Sequence, residues 1–203
     1  MKKKPGRPLG SVRVGKRALS KEGLARFIKI VEGKKKLRDE VMFKLTIWLG
    51  LRVQEICNIK LVDVIHSQQS IYISGIKNGR ERTYCFEGTA EYKLWRKLAK
   101  LARGKTGQVY LFPSPKDVTK PITTQSIKML FKRYAKKASF GKERSIHDLR
   151  HTVGTMMAEK GYNAIQISRW LRHKNIKSTQ VYFEEARFGK DDKQMAEDFG
   201  MFL

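Results

Sequence analysis

Apolar positions along this 203-residue chain recur mostly at the three-to-four-residue period of helices. Leu24, Phe27, Ile28 and Val31 share one face behind Ser20, a residue suited to an N-cap, and Gly33 closes the segment. Val41, Leu45, Trp48 and Leu49 form a second helix that stops at Gly50, and a third starts near Val53. The period then changes. Val62 to Ile65, Ser70 to Ser74 and Arg82 to Phe86 read as three short strands, with turns at Gln68-Gln69 and at Asn78-Gly79, the strongest two-residue hairpin signal. Helices return after Gly88. Thr89 caps one carrying Leu94, Leu98 and Leu101 to Gly104, and Thr123 or Thr124 caps one carrying Ile127, Leu130 and Tyr134. Another runs from about Leu149 to Lys160 and stops at Gly161; Asn163 caps the next, with Ile167 and Leu171. Ser178 opens a short one holding Val181 and Tyr182, and Met195, Phe199 and Phe202 stripe a last stretch after Gly189. The pattern predicts a mainly helical α+β fold with a small antiparallel three-stranded sheet.

Composition narrows the partner. Lys and Arg number 44 against 19 Asp and Glu, a formal net charge of +25, which marks a polyanionic ligand, nucleic acid ahead of an anionic membrane. A chain this long buries about 70% of its unfolded surface and needs no disulfide or metal staple. The longest apolar runs, such as Leu45 to Leu51, fall far short of the ~20 residues of a membrane span. Met1 to Pro5 is basic without an apolar stretch, so no secretory signal is expected. Cys57 and Cys85 stand alone, which fits a reducing, cytoplasmic setting.

Residues 1–19 carry Lys2, Lys3, Lys4, Arg7, Arg13, Lys16 and Arg17 and no acid, and are expected to form a flexible basic arm. Pro5-Gly6-Arg7-Pro8 is similar to an AT-hook laid in the minor groove, with a solvated basic tail as the plainer alternative; either leans on phosphates.

Five features carry chemistry: Gly50-Leu51-Arg52-Val53-Gln54-Glu55, Lys77 beside Asn78-Gly79, His147-Asp148-Leu149-Arg150, His173, and Tyr182 nine residues later. In this order they resemble the tyrosine recombinase (phage integrase) family, whose terminal motif is similar to the stretch from Leu171 to Tyr182. The resemblance covers residues 20–190, with 1–19 as the arm and 191–203 as a tail helix that either folds back on its own core or is exchanged between subunits. It implies a site-specific DNA recombinase of the integrase or invertase type, working through a 3′-phosphotyrosyl intermediate. It also implies a tetramer on paired double-stranded sites near the nucleoid, with neither metal nor nucleotide cofactor.

The residue types suit that chemistry. Arg52 and Arg150 are planar forks able to hold both non-bridging phosphate oxygens, which Lys cannot do. His147 and His173 donate to the phosphate or move protons, Lys77 is placed to protonate the leaving 5′ oxygen, and Tyr182 is the nucleophile. Glu55, three residues after Arg52, orients that Arg. Lys2, Lys3, Lys4, Arg7, Arg80, Arg82 and Arg172 are the expected DNA contacts. His147 and His151 also have the i, i+4 spacing of a zinc pair, but Asp148 replaces the usual Glu and no third ligand is near; His151 is expected to cap or pack.

Two departures leave alternatives open. Arg172 stands where the family motif usually has Gly, and no N-terminal helical clamp domain is expected before residue 20. A catalytically weak DNA-binding or regulatory protein on the same fold, or a type IB topoisomerase-like enzyme, are the competing readings.

Overall fold

The computed structural model describes residues 17–76, 80–104 and 106–187. Lys2, Lys3, Lys4, Arg7, Lys77, the Asn78-Gly79 turn and the expected tail helix after Gly189 lie outside these residues.

Helix α1 spans Lys21–Gly33, with the Ser20 hydroxyl accepting from the Gly23 amide at 3.1 Å as its N-cap. It buries Leu24, Phe27 and Val31 against α2 (Leu37–Leu49) and, later in the chain, α5 (Thr124–Lys137). Phe27 stands edge-on to Phe43, with centroids 5.3 Å apart, and stacks on Phe140 at 5.7 Å. Helix α2 is enclosed on several sides, which is why its apolar residues outrun a single stripe. It ends at Gly50, whose φ of 59° is left-handed. A side chain there would also run into Leu171.

After α3 (Val53–Asn58), the sheet is built in the order β1-β2-β3 from Val64–Ile65, Ser70–Ile73 and Arg82–Cys85, all antiparallel. Val64 pairs with Ile71, and Ile71 with Tyr84, so the inward row is Val64, Ile71 and Tyr84. The first strand is shorter than its sequence pattern. Leu61–Asp63 forms a 3₁₀ turn because Asp63 accepts from the Lys60 amide at 2.7 Å, leaving Val62 80% exposed.

Helix α4 (Tyr92–Leu101) begins after Glu91 rather than Thr89, whose hydroxyl donates to Phe86 O within the preceding turn. Thr123 caps α5 and Asn163 caps α7 (Ala164–Trp170), accepting from the Ser126 and Gln166 amides. Helix α6 (Ile146–Glu159) starts three residues before Leu149, with the Asp148 carboxylate accepting from the Ser145 amide at 3.0 Å. Helix α8 runs Lys177–Arg187, longer than the short segment expected, and packs mainly on α6. A small apolar cluster under it joins Val153, Ile167, Leu171 and Tyr182.

The body starts before Ser20. Leu19 is buried and its amide donates to Thr152 of α6 at 2.9 Å, so this last residue of the expected arm belongs to the body.

Candidate active site

Two chain turns and one helix meet at the C-terminal ends of α2 and α7. The turn after α2 presents Arg52, α6 presents Arg150, and the turn after α7 presents Arg172 and His173. Glu55, 2% exposed, lies at their centre. Its carboxylate accepts from the Arg52 amide and Arg52 Nη1, both at 2.7 Å, and from Arg172 Nη2 at 2.7 Å; Arg150 Nη1 lies 3.9 Å away. Burial raises its pKa, but the Arg172 charge and these hydrogen bonds win and hold the carboxyl below its ordinary value. Three guanidiniums and one carboxylate leave a formal +2 in a confined space.

Arg150 is 6% exposed and uses Nη1 on Gly50 O and Nη2 on Leu171 O, which bolts the end of α2 to the end of α7 and fixes its plane. Burial, then the Arg52 charge, push it down to about 10, so it stays protonated at neutral pH. Arg52 is less enclosed, its side chain 30% exposed, and both its Nη atoms also reach Arg172 O at 3.3 Å. Half-buried and held at the amide and Nη1 by Glu55, it is the guanidinium of the three that opens toward solvent.

His173 is buried, and its Nδ1 shares a hydrogen with the Thr179 hydroxyl at 2.8 Å. Burial, then Arg150, Arg52 and Arg172, push the imidazole down to about 3, so the ring is neutral at physiological pH. His147 lies at the rim, exposed on the Arg150 face of α6. Loss of solvent around the ring, then Arg150 and Lys128 of α5, move it below its ordinary value too.

Tyr182 sits on α8, 5% exposed, its ring parallel to that of His173 at 5.8 Å and edge-on to that of His151 at 5.1 Å. His151 is therefore a packing residue, as the sequence reading had it. Beneath the Tyr182 ring is Gly154, where a methyl group would lie 2.6 Å from a ring carbon. The phenol is close enough to Arg150 that its negative form would support the Arg150 charge.

Arg172 corrects an expectation. It is 0% exposed, with φ at 57°, and points inward. Besides Glu55, it donates to Leu49 O at 3.2 Å, Trp170 O at 3.1 Å and the Tyr84 hydroxyl. Every direction around this guanidinium is occupied by protein, so it is not a DNA contact. Arg80 is exposed, whereas Arg82 lies over the rings of Tyr84 and Trp170, 5.2 Å from each centroid.

Arg52, Arg150, His173 and Tyr182 are thus gathered as the motif order implied, with His147 at the edge. Tyr84, Thr179 and Gly154 were missed. Thr179 lies inside the terminal motif, three residues before Tyr182, which is a usable signal; Tyr84 and Gly154 serve through space, with no local mark.

Residues 17–187 match the model of the phage integrase family. A tyrosine recombinase XerA of Pyrococcus horikoshii is 33% identical over 155 residues, covering 76% of this chain and 53% of that protein. XerC of Vibrio atlanticus is 32% identical over 148 residues, covering 72% and 46%. The chain thus spans about half the length of these relatives. Among solved structures, the XerA recombinase crystal structure superposes with a TM-score of 0.71 at 24% identity over 98% of this chain and 66% of that one. XerH bound to difH substrate gives 0.69 at 19% identity over 95% and 57%.

Proposed function

The chain belongs to the phage integrase family and has the tyrosine recombinase catalytic-domain fold, and from that premise we propose that it cuts and rejoins double-stranded DNA at specific sites through a phosphotyrosine bond. The observation that carries this reading is the +2 cradle of Arg52, Arg150 and Arg172 around Glu55, with the Tyr182 ring stacked on His173 at its wall.

In the proposed reaction the Tyr182 oxygen attacks the scissile phosphorus and gives its proton to water, while the bond from phosphorus to the 5′ oxygen breaks. The departing oxygen takes a proton from Lys77, the general acid. Arg52 and Arg150 receive the two non-bridging oxygens, whose charge grows in the transition state; such preorganised donors contribute most where the charge develops. Neutral His173, anchored through Nδ1 by Thr179, offers Nε2 to the same phosphate. His147 works from the rim. Rejoining reverses the steps, and the energy of the broken bond is held in the phosphotyrosine.

Lys2, Lys3, Lys4, Arg7, Arg80 and Arg82 serve as phosphate contacts, and the protein acts on nucleoid DNA in the cytoplasm; no helix among the described residues is long and apolar enough to cross a membrane. A tetramer on paired sites is the proposed assembly. Residues 191–203 combine the Met195, Phe199 and Phe202 stripe with Asp191, Asp192, Glu197 and Asp198. A groove of about 640 Å³ lined by Ile28, Ile47, Trp48, Met156 and Trp170, with Lys160 and Glu91 also in its lining, offers the apolar stripe a seat on a neighbouring copy. Ending the chain after Lys190 should abolish the higher-order complex on DNA in sedimentation; an unchanged complex would remove the tail from the assembly.

The deciding experiment traps a covalent adduct on a nicked suicide substrate and sequences the attached strand. The parent protein should form it and Tyr182→Phe should not, with DNA affinity retained. Adduct in the variant moves the nucleophile to another residue. DNA binding without adduct in the parent leaves the DNA-binding, non-catalytic reading.

A further inference from the structure

Arg172 occupies a backbone conformation that favours glycine, at φ 57°, and buries its whole guanidinium. Both features are unfavourable by themselves. A glycine would make the same turn without either, so the side chain has a task beyond shaping the chain. Its bonds show what that task touches. Nη2 takes Glu55 Oε2 at 2.7 Å and Nε lies 3.4 Å from Oε1, while Arg52 Nη1 holds Oε1 at 2.7 Å from the other side. The carbonyl of Arg172 itself accepts from both Nη atoms of Arg52 at 3.3 Å. The remaining nitrogen, Nη1, is secured by Leu49 O, Trp170 O and the Tyr84 hydroxyl.

Resting on the recombinase reading of the cradle, we propose that Arg172 is a positioning residue for Arg52. It shares the Glu55 carboxylate so that this carboxylate does not neutralise Arg52, and its carbonyl turns the Arg52 fork toward the scissile phosphate. With Arg172 present the cradle carries +2, matching a phosphoryl group that doubles its charge on the way to the transition state. Without it the cradle carries +1, and Glu55 has Arg52 as its nearest partner. A purely architectural residue would alter folding and leave untouched any preference between a charged and a neutral phosphate.

The test compares Arg172→Gly and Arg172→Lys with the parent on two DNA substrates, one normal and one with a methylphosphonate at the scissile position, which lacks one non-bridging charge. Arg172→Gly should slow adduct formation on normal DNA by roughly 10²-fold, in the range for loss of a preorganised donor. On the methylphosphonate the gap between variant and parent should close to about threefold or less, because the charge deficit then matters less. Arg172→Lys, which keeps the charge without the fork, should fall between. The same pair of substrates is used for affinity measurement in a Tyr182→Phe background, which needs no chemistry; there Arg172→Gly should reduce the preference for the charged phosphate. Tyr84→Phe, which retains the Glu55 bridge, supplies a milder step in the same direction should Arg172→Gly fail to fold. Equal losses on both substrates, or none, would overturn the proposal. A changed phosphate preference in a protein that never forms the adduct would instead retain the positioning role and discard the phosphotyrosine reading.

Discussion

Gly154 lies one helical turn beyond Arg150, and the Tyr182 ring fills the space that its missing side chain leaves. A methyl group 2.6 Å from the ring carbons has to lift α8 or turn the phenol. Gly154→Ala should therefore reduce suicide-substrate adduct at least about tenfold, with DNA affinity within about twofold. Its melting temperature should move little, since overpacking at ~1–3 kcal/mol opposes a helix-propensity gain of ~1 kcal/mol. Normal adduct yield would show that the ring has slack. His173 gives a pH signature. Its folded pKa, about 3, lies below the ordinary histidine value, so between these limits the unfolded chain binds a proton that the native one refuses. Stability should then decline as pH falls from about 6.5 toward 3, and His173→Gln should flatten that decline in urea midpoints; parallel curves would reject the assignment. The convergence of Arg52, Arg150, His173 and Tyr182 on one place was legible in the sequence because their order along the chain is specific. The inward turn of Arg172 was not, because burial is set by Glu55, Tyr84 and the carbonyls of Leu49 and Gly50, all from distant segments.

At the scale of elements, periodicity found the helices and the three strands, and errors gathered at ends where a side chain bonds its own backbone. Asp63 closes a 3₁₀ turn over what reads as the start of β1, and the Thr89 hydroxyl turns back to Phe86 instead of capping α4. Each is a local hydrogen bond competing with regular structure, which apolar patterning does not register. The β2–β3 hairpin carries the next prediction. Its strands are paired from Ser70–Cys85 to Ile73–Arg82, and the Tyr72 hydroxyl donates to Glu81 at 2.6 Å across it, so the connection holding Lys77 springs from an ordered base. Lys77→Ala should slow cleavage by about 10²–10⁴-fold, the usual contribution of a general acid. A 5′-bridging phosphorothiolate, whose thiolate leaves without a proton, should restore most of the rate. Failure of that rescue would transfer the acid role to another cation, with Arg80 and Arg82 nearest in sequence.

For the molecule as a whole, the +25 charge sets how it meets DNA. With 6–10 phosphate contacts, affinity should drop ~10³–10⁵-fold between 50 and 200 mM salt. Removing residues 2–17 should shallow that dependence and leave the cleaved sequence unchanged; an equal slope would show that the arm touches no phosphate. The architecture also bears on how such a sequence can change over time. Gly and Arg codons are separated by a single base, so an arginine arises readily at 172, yet it is tolerated only where Glu55 already waits and Tyr84 supplies a hydroxyl. Glu55 is also bonded by Arg52, so the Arg172 cation occupies a pocket whose carboxylate two arginines use. Once settled, it recruits the ends of two helices and a strand as dependants. Glycine at 172 would leave those partners without the donor they now use, so this one position is tied to several distant parts of the chain.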